Sequence, residues 1–461
     1  MATLDQVLNA RSVAVIGASR DPSKPGAMLL EVLKRTGFQG QVAGINPQGG
    51  HVNGVTLYRS LEEVPFPVDL AVMLIPPRLV PEATAACARK GVKGVVISAE
   101  GFAETGPEGA LIQQEVLRIL RSSGMRGFGP NTLGLVNTMT GLTTSYFATP
   151  RMLEAGSVGF AAQSGIFVGA LLRYLSSMEG LRLSKGIGLG NKMDVNECDA
   201  LEYLASDPQT RIIGMYLEDV RDGRRFVEAA RMAVERKPVL LLKGARTEEG
   251  ARASSSHTAS LSVEDRLMEG ALRQAGVLRV NSIEEMISSL KGFLAMPLPK
   301  GGRIALVTYS GAQAILSIDQ ATRDGLQVAR FQGSTLEKLS RVIATPSKAV
   351  NPVDLFPDMM VHGFERTSVT ILEALLDDPG VDSVIFISFA VEGPEPYRPL
   401  AELIKERRTK PVFFSLLGAK ENVEACSAFL DNQGIPCFLY PETAVRVISH
   451  MWRYGRRIRA V

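Results

Sequence analysis

His257 is the side chain whose surroundings most suggest chemistry. It lies in TEEGARASSSHTASLSV, residues 247–263. A histidine takes up phosphate when one ring nitrogen is free to attack and the other N–H is held by a carboxylate. Glu218, at the end of the strand-like run RIIGMYLED, is the candidate carboxylate. Ser262 and Asp265 have the spacing of a capping box, with Asp in place of Glu, and predict a helix over VEDRLMEGALRQ whose N-terminus is close to His257. Gln163-Ser164-Gly165 stands between a strand and the apolar segment IFVGALLRYL, which offers a second helix N-terminus. A phosphoryl group held between two such ends would be stabilised without a metal. Read alone, His257 and Glu218-Asp219 would pass for a solvated loop and a solvated strand end.

An internal duplication separates His257 from that bland reading. GSVGFAAQSG, from Gly156, echoes GRIALVTYSG, from Gly302. In the same order, GNKMDV echoes VNPVDL, KPVLLLKGA echoes KPVFFSLLGA, and RQAGVLRV echoes DNQGIPCFLY. Order-preserving echoes predict two similar flavodoxin-like domains, joined by the Pro-rich AMPLPKGG near residue 298. The first copy is about fifteen residues longer between its KP strand and the following turn, and the extra segment contains His257. The second copy closes the same connection without it, so the fold alone does not call for the loop. His51, His362 and His450 have no comparable setting and read as structural or exposed.

The elements that must position these groups follow from short β-branched runs alternating with helical spacing, the mark of parallel α/β domains. SVAVIG, QVAGIN, DLAVMLIP and KGVVIS fall before about residue 145 and describe one Rossmann-like unit. The expected domains are 1–145, 146–296 and 297–461. In VAVIGASRDPSKPG, Gly17 ends a strand and opens a turn that can offer backbone N–H groups to a phosphate, although it equally permits close strand–helix packing. A dinucleotide site usually carries Asp or Glu after the second strand; here stand Asn46-Pro47, which disfavours NAD and avoids repelling the ribose phosphate of coenzyme A. Asn46-Pro47 reads equally well as a plain turn. Ile75-Pro76-Pro77 and Ser98-Ala99-Glu100-Gly101 end later strands and are candidates for the pantetheine path.

At 461 residues the chain is long enough for two or three domains. Lys+Arg 51 against Asp+Glu 48 is near balance, and no basic block stands out, which disfavours nucleic acid. The four cysteines are dispersed and the histidines unclustered, so no metal site is expected and a reduced, cytoplasmic setting is. No apolar run approaches a membrane span.

Together with Gly17-Ala18-Ser19, Ile45-Asn46-Pro47, Gly129-Pro130-Asn131, Gln163-Ser164-Gly165, Gly188-Leu189-Gly190-Asn191-Lys192, Ser256-His257-Thr258 and Asn351-Pro352-Val353-Asp354, the chain resembles the alpha subunits of ADP-forming acetate–CoA ligases, relatives of the succinyl-CoA synthetase alpha chain. The resemblance covers nearly the whole chain. It implies an α/β protein with an N-terminal Rossmann-like CoA-binding domain and two flavodoxin-like domains of the succinyl-CoA synthetase type. It implies an acid–thiol ligase in which phosphate attacks an acyl-CoA, His257 takes the phosphoryl group from the acyl phosphate, and ADP receives it with Mg in an ATP-grasp beta subunit. Small carboxylic acid, phosphate and CoA are the implied substrates, and α2β2 the implied assembly. By position, Gly17, Ala18, Ser19, Arg20, Asn46, Pro47, Ile75, Pro76, Ser98, Glu100 and Gly101 would meet CoA. Asn131, Gln163, Ser164 and Gly165 would meet the reacting phosphate or carboxylate, and Glu218 would orient His257. No ATP-grasp module is read in the sequence, so the chain is expected to be inactive without its partner. Two departures stand out: Ala259 where the family usually has Gly, which restricts the backbone beside the phosphate, and Thr132 in place of a cysteine. The competing reading is a non-catalytic acyl-CoA-binding or regulatory protein that keeps the fold.

Overall fold

The computed structural model describes residues 2–164, 173–175, 177–178, 180–258, 264–345 and 348–460, with the side chains of residues 255–258 outside that description. The chain forms two compact units, Met1–Asn281 and Ser282–Val461.

The first unit begins with a seven-stranded sheet. Its strands are β1 (Ser12–Ile16), β2 (Gln41–Ile45), β3 (Gly50–Val52), β4 (Val55–Tyr58), β5 (Leu70–Met73), β6 (Gly94–Ile97) and β7 (Arg126–Phe128). They lie in the order β3-β4-β2-β1-β5-β6-β7, parallel except for the hairpin β3–β4. β1, β5 and β6 are buried along their whole length, because helices cover both faces. The chain leaves β1 for β2 on one side and later returns to β5 on the other. The carboxyl ends of β1 and β5 therefore flank the switch point where open α/β sheets bind ligands.

The second sheet contains β8 (Leu135–Asn137), β9 (Leu142–Thr143), β10 (Val158–Ala162), β11 (Leu183–Gly188), β12 (Ile212–Leu217), β13 (Val239–Lys243) and β14 (Leu278–Val280), in the order β14-β13-β12-β10-β11-β8-β9. The sheets thus change over between β7 and β8, ahead of residue 145, because the β8–β9 hairpin pairs antiparallel with β11.

The second unit carries a six-stranded parallel sheet. It consists of β15 (Arg303–Thr308), β16 (Gln327–Val328), β17 (Val353–Asp354), β18 (Ser383–Phe389), β19 (Val412–Leu417) and β20 (Cys437–Phe438). The order is β16-β15-β18-β19-β20, with β17 also on β15. The run β20-β19-β18-β15 repeats β14-β13-β12-β10, so three of the four sequence echoes correspond to equivalent strands, while GNKMDV follows β11 and VNPVDL contains β17. The side chains that close the repeat correspond too. Lys237 Nζ donates to Leu204 O at 2.8 Å and to Asp207 O, and Lys410 Nζ donates to Leu375 O at 3.1 Å and to Asp378 O at 2.5 Å. In each copy the lysine of the KP pair ties off carbonyls at the C-terminal end of a preceding helix.

The inserted segment is not the loop expected from its composition: Glu248–Thr258 is a helix. The next helix, Asp265–Ala275, has Glu264 at its N-cap and no side-chain cap. Ser262 lies outside the described residues, and Asp265, expected to complete a capping box, instead pairs with Arg279 at 2.5 Å. Two arginines, Arg246 and Arg279, reach Asp265, and this draws its carboxylate from the cap.

Candidate active site

The turn after β1 is shaped by close backbone approach. Gly17 has φ +93°, and a Cβ there would meet Leu74 O at 2.4 Å. A Cβ at Gly26 would meet Gly17 O at 2.2 Å, so the helix Pro25–Arg35 presses directly on the turn. The N–H groups of Gly17 and Ala18, expected to face a phosphate, have a partner within the protein. Both donate to Ile45 O at 3.2 Å, which leaves the start of the helix Pro25–Arg35 as the donor end of this turn. Asn46 Nδ2 donates to Ala18 O at 2.7 Å, and its Oδ1 accepts from Gln48 N at 2.9 Å. The amide therefore ties β2 to the Gly17 turn and caps its own turn. Arg20 Nη2 donates to Gly49 O at 2.6 Å, over the same edge.

Ile75-Pro76 follows β5, and Ser98 to Gly101 follows β6, so these residues share the carboxyl edge with Gly17, Ala18, Ser19, Arg20, Asn46 and Pro47. Asn131, at φ +59°, joins them through its N–H, which donates to Ala99 O at 3.0 Å. Asparagine tolerates that left-handed conformation better than most side chains.

The corresponding edge of the second sheet brings Gln163 and Glu218, two of the residues expected around the histidine, together. Gln163, 3 % exposed at the end of β10, accepts through Oε1 from the N–H groups of Glu218, at 2.9 Å, and Asp219, at 3.2 Å. This fixes the strand end that presents Glu218. The Glu218 carboxylate receives Tyr216 OH at 3.2 Å on Oε1 and Ser254 Oγ at 2.7 Å on Oε2. Ser254 lies in Glu248–Thr258, one helical turn before His257, so Glu218 holds the helix that carries the histidine. Burial, and then the charge of Glu218 beside it, pushes the Tyr216 hydroxyl up to about 12, so it remains a protonated donor to that carboxylate. Lys243 Nζ donates to Glu218 O at 2.6 Å, and burial lowers its pKa. The His257 side chain and Gly165 lie outside the described residues; Ser164 ends the described part of its turn.

Between the two edges lies a network absent from the residue-level expectations. Glu104 Oε1 accepts from Gly101 N at 2.8 Å and Phe102 N at 3.1 Å, while Oε2 accepts from Asn191 Nδ2 at 2.7 Å. Arg221 donates to the carbonyls of Asn191 and Lys192, both at 2.7 Å. Lys192, 1 % exposed, lies 3.0 Å from Glu197 Oε2 and donates to Asp219 O at 3.1 Å and to the Asp219 carboxylate. The Gly190-Asn191-Lys192 segment was visible as a motif but not as a junction. Tyr216 carried a usable signal, since residues two apart on a strand share a face with Glu218.

Among the other histidines, His51 is exposed and His450 is buried in the second unit, with Nδ1 2.9 Å from Ser289 Oγ and Nε2 3.4 Å from Glu285. Among the described residues no cluster of His, Cys, Asp or Glu could hold a metal, and no helix is long and apolar enough to cross a membrane.

Two domain families match the chain: a CoA binding domain over residues 11–138 and a succinyl-CoA ligase like flavodoxin domain over residues 155–293. An Archaeoglobus fulgidus acetate–CoA ligase (ADP-forming) II is 37 % identical over 97 % of this chain, which spans 66 % of that protein. The Pyrococcus furiosus acetate–CoA ligase (ADP-forming) II subunit alpha is 37 % identical, covering 95 % of each chain. A solved dinucleotide-forming acetyl-coenzyme A synthetase 1 from Ca. Korarchaeum cryptofilum, in complex with phosphate and ADP, superposes with a TM-score of 0.91 at 31 % identity, over 100 % of this chain and 98 % of that one. The likeness spans both carboxyl-edge turns and the duplicated sheets, and on that ground the chain belongs to the ADP-forming acetate–CoA ligases, as a relative of their alpha subunits.

Proposed function

We propose that this chain is the alpha subunit of an ADP-forming acyl-CoA synthetase, acting through an acyl phosphate and a phosphohistidine at His257. In the first step phosphate attacks the thioester carbonyl, the C–S bond breaks, and CoA leaves as the thiol. In the second, a ring nitrogen of His257 attacks the phosphorus of the acyl phosphate and the carboxylate departs. In the third, the phosphoryl group passes to ADP, giving ATP and restoring the imidazole. The sequence of steps is reversible.

The observation that carries this reading is the grip of Glu218 on Ser254, one turn ahead of His257. A carboxylate fixed there would raise the nucleophilicity of the histidine by accepting its other N–H. Gln163 supports Glu218, and the turn at Gln163, Ser164 and Gly165 with Asn131 would receive the phosphate or carboxylate. Gly17, Ala18, Ser19, Arg20, Asn46 and Pro47 would bind the nucleotide end of CoA, while Ile75, Pro76, Ser98, Glu100 and Gly101 would line its pantetheine arm. Their common place on one sheet edge, next to a switch point, suits such a ligand.

The nucleotide, with Mg, is assigned to a separate ATP-grasp beta subunit in an α2β2 assembly. Support comes from the Pyrococcus furiosus relative of nearly the same length, which is named as a subunit alpha. The substrate is a small carboxylic acid; relatives are named for acetate and for 4-hydroxybutyrate. A cytoplasmic setting suits the four buried, free cysteines.

Reconstitution tests the two-chain reading. ATP formation from acetyl-CoA, phosphate and ADP is expected only when the chain is mixed with an ATP-grasp beta subunit. Robust turnover by the purified chain alone would refute the division of labour. Binding of acyl-CoA with no turnover in either case would favour a regulatory binding protein.

A further inference from the structure

The contact between Glu104 and Asn191 has a place in the fold that neither domain requires by itself. On one side, Glu104 holds the Gly101 and Phe102 N–H groups, the end of the turn after β6. On the other, it takes the Asn191 amide at the end of β11. From Asn191 the contacts continue without a gap. Arg221 clamps the Asn191 and Lys192 carbonyls, Lys192 pairs with Asp219, the Asp219 N–H reaches Gln163, and Gln163 fixes Glu218, which holds Ser254. A second, shorter route exists, because the turn Ala103–Thr105 lies beside the helix Glu248–Thr258. Asn191 and Lys192 are buried and Glu104 is half-buried, so water weakens these bonds only in part.

We propose that Glu104 and Asn191 form a positioning contact that transmits the state of the Ser98–Gly101 turn to the Gln163–Glu218–Ser254 support of the histidine helix. The inference rests on the functional reading above, in which that turn meets CoA. Filling the turn with CoA fixes Gly101 and Phe102, which fixes Glu104 and through Asn191 steadies the helix Glu248–Thr258. By linkage, a broken contact weakens CoA binding even when the break is made on the Asn191 side.

The test uses the full chain, CoA affinity by calorimetry, and amide hydrogen exchange of residues 248–258 with and without CoA. Asn191→Asp sets a second carboxylate against Glu104 while keeping the size of the side chain. It is expected to weaken CoA binding about tenfold and to abolish the protection that CoA confers on 248–258. Adding Glu104→Gln supplies an N–H to the new aspartate and is expected to bring affinity within about threefold of wild type. Glu104→Gln alone is expected to be mild, since Asn191 Oδ1 is buried with no hydrogen bond and the amide can turn to accept. Should Asn191→Asp not fold, Asn191→Ser, which draws back from Glu104, carries the same expectation. Wild-type CoA affinity in Asn191→Asp, or no recovery in the double variant, would overturn the coupling while leaving the functional reading intact. Failure of the wild-type chain to bind CoA would overturn both.

Discussion

In the proposed mechanism Glu218 is the residue on which the histidine chemistry turns, because its two oxygens serve different elements. Tyr216 reaches Oε1 from the same strand, and Ser254 reaches Oε2 from the helix that contains His257. Glu218→Gln keeps the size but removes the charge. Loss of a charge-assisted contact of this kind costs about 2 kcal/mol, or roughly thirtyfold. The phosphohistidine formation rate should fall by about that factor, with the KM for CoA changed less than about threefold. Stopped-flow quench with labelled phosphate reads the first quantity and steady-state kinetics the second; a shift confined to KM would assign Glu218 to CoA binding. Glu218 could be chosen from the sequence because it ends a strand-like run, RIIGMYLED. Ser254 could not, since nothing distinguishes it from Ser255 and Ser256 until the helix sets its place.

Among the elements, the strands were the most legible. SVAVI and GVVI are continuous buried runs, as strands covered on both faces must be, and three of the four paired echoes match equivalent strands. The helix Glu248–Thr258 was not legible. EEGARASSSHT has a Gly, three Ser and a Thr among its eleven residues, a composition with weak intrinsic helix preference, and contact with Glu218 overrides that preference. The Gly17 turn was recognised, but its use of Ile45 O was not, since a sequence does not show which acceptor an N–H will find. Its geometry gives a sharp expectation. Gly17→Ala places a Cβ 2.4 Å from Leu74 O at φ +93°, so the chain should lose about 1–3 kcal/mol of stability. Urea unfolding measures that loss, and CoA affinity should fall with it. Unchanged stability would mean that the turn has another conformation in solution.

For the whole molecule, the two units should differ in their response to acid. His450 in the second unit is buried, and this burial, with the charge of Arg453, lowers its pKa to about 4. The folded form thus binds a proton less readily than the unfolded form, whose histidine titrates near the usual value. Stability is present above that value and is lost as pH falls from about 6.5 towards 4. Between pH 7 and pH 5 the loss from this group is about 2 kcal/mol. Urea titrations followed by proteolysis should show residues 282–461 opening first at pH 5, and His450→Gln should flatten the pH dependence. An equal dependence in the variant would exclude His450 as its source. The proposed carrier role also belongs to this scale, because in that reading one histidine serves a CoA-side site on this chain and a nucleotide site on another. The measurement that tests it most directly is intact-mass and peptide analysis under alkaline conditions, after the chain, with its beta subunit, is mixed with acetyl-CoA and phosphate. The expected result is one acid-labile phosphate on His257, absent from His257→Gln and discharged by ADP. A phosphate on another residue, or none on the wild-type chain, would contradict the account.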